Sequence, residues 1–64
     1  MKYYKRYDNL AVYRIDDDYN GFYINRNLTD WVQDQDVLRL QFDLTDVELI
    51  SEKEADAIIF EWHK

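Results

Sequence analysis

The sequence predicts an α+β fold, a small antiparallel sheet of three to five strands with a C-terminal amphipathic helix packed on one face. Two patterns carry that expectation. The first third places "KYYKRY", "LAVYRI" and "FYIN", rich in Tyr, Val, Ile and Phe, between Asn, Asp and Gly turn residues. Towards the other end, Ser51 and Glu54 form an S-x-x-E helix start, with Ala55, Ile58, Ile59 and Trp62 following at helical spacing. Sixty-four residues make one domain. A chain this short buries only about 60% of the surface its unfolded form exposes, so its stability margin is thin.

The first two strands are joined by Asp8-Asn9, read as a two-residue hairpin turn because both residue types tolerate positive φ. That turn sets Tyr7 opposite Leu10, Tyr4 opposite Tyr13 and Tyr3 opposite Arg14. Tyr4, Ala11, Tyr13 and Ile15 then share an apolar face. A loop of Asp17–Asn20 would add Phe22 and Ile24 to that face, with Gly21 at a position needing unusual backbone angles. The β-rich part is thereby expected over 2–26.

"DDDYNGF", residues 16–22, also matches the start of a calcium-binding loop. Asp16, Asp18, Asn20 and Gly21 fall at its first, third, fifth and sixth places. The twelfth place, which needs a bidentate carboxylate, is Asn27, and the flanks alternate as strands rather than helices. The stretch therefore reads as a turn.

The segment 34–44 can be read two ways. Leu38, Leu40, Phe42 and Leu44 alternate with Arg39, Gln41 and Asp43, which favours a strand over 37–44. Leu, Arg and Gln are also good helix formers, and Asp34 or Asp36 can cap a short helix. Trp31-Val32 is expected to enter the core just before it. Val47, Leu49 and Ile50 form a short extended segment leading into a helix over 52–63. Glu52 and Glu54 lie at the positive end of its dipole, and His63 and Lys64 at the negative end.

The stretch "DVELISEKEADAII", following a tyrosine-rich "KYYKRYDNLAVYRIDDD" opening, resembles small accessory proteins of Gram-positive bacteria, their phages and mobile elements. Those proteins tend to end in a similar "ISEEEA" helix start. The likeness covers about half the chain. It implies an accessory setting and carries over no functional residue.

Composition excludes several chemistries. No cysteine is present, so disulfides, thiolate metal sites and cysteine nucleophiles are ruled out together. Ser51 is the only serine and serves the helix start. His63 is the only histidine and lies next to the last residue, where no third group can orient it for base catalysis. One histidine without cysteine is a poor transition-metal set, and one glycine cannot build a phosphate-cradling loop. The chain is expected to be non-enzymatic, with no cofactor and no metal. No stretch approaches the roughly 20 apolar residues of a membrane span. The opening "MKYYKRYDN" lacks an apolar run of signal-peptide length, so the expected location is cytoplasmic.

Charge points to a binding role. The net charge is −6 and it is unevenly placed. Residues 1–26 hold five basic against four acidic side chains, whereas 27–64 hold three against ten. Asp43, Asp46, Glu48, Glu52, Glu54, Asp56 and Glu61 are candidates for an acidic surface that engages a basic surface on a partner protein. Its sharpest form is a nucleic-acid mimic that blocks a nucleic-acid-binding enzyme. Duplex DNA carries one charge per about 1.7 Å of axis, so a mimic must hold many carboxylates outward on a stiff frame. The bland alternative is a solvated helix face. A second candidate surface gathers Tyr3, Lys5, Tyr7, Arg14 and Tyr23, with Leu10 and Val12, on the other side of the sheet, where rings among cations can stack single-stranded bases. The net negative charge argues against nucleic acid as a partner. Eleven aromatics, with Phe60 off the main helix stripe, leave a homodimer open.

Overall fold

The computed structural model describes residues 1–43 and 45–64. Among these, five strands form one antiparallel sheet: β1 (Lys2–Arg6), β2 (Ala11–Ile15), β3 (Gly21–Asn25), β4 (Val32–Gln33) and β5 (Val47–Ile50). Their spatial order is β4-β3-β2-β1-β5, which makes β4 and β5 the two edges. A 3₁₀ helix spans Gln35–Gln41, and α1 spans Glu52–Trp62. The α+β class with a C-terminal helix is as expected.

The β1–β2 hairpin takes the expected register, with Tyr3 opposite Arg14 and Tyr4 opposite Tyr13. Its connection is longer than a two-residue turn, since β1 ends at Arg6 and β2 starts at Ala11. Asn9 donates its N–H to the Arg6 carbonyl at 3.0 Å and sits at φ 60°. The Asp8 carboxylate accepts the Leu10 N–H at 3.0 Å, an Asx turn that satisfies the loop backbone.

The β2–β3 register differs from expectation by one residue. Tyr13 stands opposite Tyr23, and Ile15 opposite Gly21. The cause is Asp16, which belongs to the loop. Its Oδ1 accepts the backbone N–H of Asp18 at 2.9 Å and of Asn20 at 2.8 Å, while its own N–H donates to the Asn20 carbonyl at 3.0 Å. A shift of one residue moves every side chain to the other face. Phe22 and Ile24 therefore join Arg14 and Val12, and Tyr23 joins Tyr13. Tyr19, at φ 61°, supplies the left-handed backbone expected of Gly21.

The glycine answers to a different constraint. A Cβ at Gly21 would meet the Asp34 carbonyl oxygen at 2.7 Å and Val37 Cβ at 2.9 Å. The close approach is fastened by the Gly21 N–H donating to Gln35 Oε1 and the Asp34 N–H donating to the Gly21 carbonyl, both at 2.8 Å. Asp34 also caps the 3₁₀ helix by accepting the Asp36 N–H at 3.0 Å. Of the two readings of 34–44, the short helix capped by Asp34 is the one formed, over Gln35–Gln41, and the favoured strand is not. Val37 and Leu40, one 3₁₀ turn apart, pack on the sheet with Leu38, and Phe42 projects away at 90% exposed. Leu44 lies outside the described residues.

Both faces of the sheet are covered. On one, α1 buries its Ala55 against Tyr3, Val12, Ile24 and Ile50, with Leu28, Trp31, Ile58, Ile59 and Trp62 around them. On the other, the 3₁₀ helix buries its Val37 in a cluster with Tyr4, Ile15 and Val47. The α1 helix therefore packs on the face of Tyr3, Val12 and Arg14, opposite that of Tyr4, Ala11, Tyr13 and Ile15. Ser51 caps α1 by accepting the Glu54 N–H at 3.1 Å, and its hydroxyl faces Glu54 Oε1 at 3.4 Å. At the other end Trp62 Nε1 donates to the Asn9 carbonyl at 3.0 Å, tying α1 to the β1–β2 turn. Trp31 is half-buried against Tyr3, while Val32 is exposed in β4.

Candidate functional site

The five residues of the aromatic–basic candidate do not share an open face. Tyr3 is only 8% exposed, beneath α1, with its ring edge-on to Trp31 at 6.4 Å. Burial, and then the nearby Glu52 carboxylate, raise its hydroxyl pKa above 10.0, the ordinary tyrosine value. Arg14 lies between two rings, its guanidinium carbon 4.7 Å from the Phe22 centroid and 4.4 Å from that of Trp31. Its Nε is buried without a hydrogen-bond partner, and cation–π attraction to both rings is the compensation available. Lys5 donates to Asn9 Oδ1 at 2.9 Å and lies 3.7 Å from Glu48. Tyr7 is exposed in the first turn, and Tyr23 is on the opposite face. The one-residue register change and the position of α1 together dismantle the base-stacking platform.

The acidic candidates are all exposed, in three settings. Asp43 is engaged locally, accepting the Thr45 N–H at 3.1 Å and the Thr45 hydroxyl. Those bonds, the hydroxyl's foremost, hold its carboxyl below the ordinary 3.8. Asp46 and Glu48 belong to the approach and body of β5, with Glu48 directly opposite Lys5 in the β1–β5 register. Glu52, Glu54, Asp56 and Glu61 lie along α1. At 100° per residue, Glu52 and Asp56 fall on one flank of the buried Ala55 stripe, and Glu54 and Glu61 on the other. Glu61 is partnered by Lys64 at 3.7 Å. The carboxylates therefore line the β5–α1 corner without forming one continuous row.

The segment expected as an extended lead-in to the helix is the strand β5. It forms an edge of the sheet, and its Leu49 is 57% exposed on the face opposite Glu48. The alternation Val47-Glu48-Leu49-Ile50 carried the strand signal, but its place beside β1 is a long-range pairing that local pattern does not reveal. Phe60 is 69% exposed, in keeping with its position off the helix stripe.

Among the described residues, no group of three or more His, Asp or Glu side chains is arranged to hold a metal ion. No helix there is long and apolar enough to cross a membrane. Comparison with protein-family models, with curated proteins and with solved structures found no match to this chain.

Proposed function

We propose that this protein is a non-enzymatic interaction module whose acidic β5–α1 corner binds a basic surface on another protein. The observation that carries the reading is the exposure of Asp46, Glu48, Glu52, Glu54 and Asp56 around one strand–helix junction, with Glu61 further along the same helix, all held by a capped helix on a packed sheet. Charge placed in that way accelerates encounter with a cationic partner and makes the complex sensitive to salt. In its finer form, the partner's basic surface is one that handles nucleic acid in a phage or mobile-element setting. The division of the carboxylates between helix flanks makes a duplex-like row the less favoured version.

The test is capture of a partner by the immobilised protein from nuclease-treated lysate at low and high salt. Glu52→Lys, Glu54→Lys and Asp56→Lys together are expected to weaken capture at least tenfold with Tm unchanged within a few degrees. Capture indifferent to both the reversals and salt would remove the acidic corner from the explanation. If the partner binds nucleic acid, the free protein should displace an oligonucleotide from it.

A further inference from the structure

The two sheet edges differ in how they meet solvent. β4 is two residues long and runs directly into the capped 3₁₀ helix. β5 is twice as long, and four consecutive residues pair with β1 without a bulge. As the terminal strand it turns every second backbone N–H and C=O away from β1, and no described backbone group bonds to that outer side. Edges are usually blunted by proline, an outward lysine, a bulge or a covering element. "VELI" has none of these among the described residues; its one charged side chain, Glu48, protects the edge against an acidic or apolar strand and leaves it open to a basic one.

The side chains on this strand specify what would pair with it. Glu48 projects to the α1 face and Leu49 to the opposite face, where it is 57% exposed. On the inner side β1 meets this pattern with Lys5 opposite Glu48 and Tyr4 opposite Leu49. The outer side offers the same pattern to a second strand. Asp46 precedes the edge, and Glu52 and Glu54 follow it. A second copy paired antiparallel about Glu48 would set Glu48 against Glu48, and one paired about Leu49 would set Asp46 against Glu52, so either register places like charges opposite each other, which is unfavourable.

We infer that the outer edge of β5, Val47–Ile50, takes an extended segment of another protein as an added strand, with Lys or Arg beside Glu48 and an apolar side chain over Leu49. This rests on the acidic-module reading above and adds a backbone-pairing contact to it. Main-chain hydrogen bonds supply affinity, and alternate side chains supply selectivity.

The probe is a short synthetic peptide of alternating lysine and valine, titrated at low salt and followed by amide NMR. Binding is expected to slow hydrogen exchange at the outward amides of Val47–Ile50. N-methylation of one alternate set of peptide amides should weaken binding about tenfold or more, and of the other set far less. Leu49→Lys should weaken it similarly with Tm unchanged. Peptide binding that ignores N-methylation but responds to the Glu52, Glu54 and Asp56 reversals would overturn the edge pairing while leaving the acidic contact standing. No binding at low salt would overturn the edge pairing and leave the acidic reading to the capture experiment. Protection of the same amides that grows with protein concentration and needs no peptide would assign the edge to a second copy and refute the occupant proposed.

Discussion

The two faces of the sheet are closed by different means. On the α1 face an eleven-residue helix brings its own start signal, its own apolar stripe and a tether at Trp62. On the other face a seven-residue 3₁₀ helix is held by what it touches: the Asp34 cap, the bonds to Gly21 and the packing of Val37 and Leu40. Helices this short are marginal alone, so both depend on packing. Only the first announces itself unambiguously; the second has a local cap at Asp34 but a segment that reads equally as a strand. A covering element written in short-range signals is legible in a sequence, whereas one written in long-range contacts is not.

The comparison can be broken most severely at Ile24, which lies directly under α1, opposite Val12. Ile24→Ala is expected to cost about 2–5 kcal/mol. For a chain of 64 residues that is a large share of a total of about 3–10 kcal/mol. Both tryptophans lie on this face, so the loss should register in tryptophan fluorescence during denaturant unfolding. A change below about 1 kcal/mol would place Ile24 outside the core.

On the other face, Gly21→Ala sharpens the contrast. The added Cβ meets backbone at Asp34 and the branched Val37, neither of which yields easily. A loss of about 1–3 kcal/mol is expected. Amide resonances should shift over Gln35–Gln41 and stay nearly fixed over Glu52–Trp62. Equal perturbation of both helices would show that the faces are not separately assembled.

The smallest effect concerns the loop that assigns side chains to faces. Backbone hydrogen bonding from Asn20 foremost holds the Asp16 carboxyl below its ordinary 3.8. A folded-state pKa below the unfolded one adds stability above the unfolded value, and this is lost as pH falls through the folded one. Thermal melts from pH 5 downwards should therefore show a falling Tm, with a shallower slope in Asp16→Asn. Identical slopes in the two proteins would remove Asp16 from the acid response.

The one-residue difference in the β2–β3 register and the side taken by α1 have the same origin. Alternation marks a core face only when the other face is wet. Here Tyr3 and Tyr4 are both buried, as are Ala11 and Val12, because each face has its own cover. The pattern of apolar residues then fits either register, and the hydrogen bonds of the Asp16 loop decide between them. The acidic candidates were readable as exposed charge, but their division between strand and helix flanks was not. The mutual distance of Arg14, Phe22 and Trp31 also depends on the register, so their stack had no local signature.

By itself the sequence determined the α+β class, the β1–β2 register and the capped helix from Glu52, because turn chemistry, strand propensity and capping act within a few residues. Tertiary structure alone decided which face α1 covers, the conversion of 35–41 into a 3₁₀ helix against Gly21, and the exposure of β5 as an edge. Those outcomes depend on steric fit and hydrogen bonds between residues far apart in the chain, and local preference, which allowed both a strand and an Asp34-capped helix over 34–44, leaves them open.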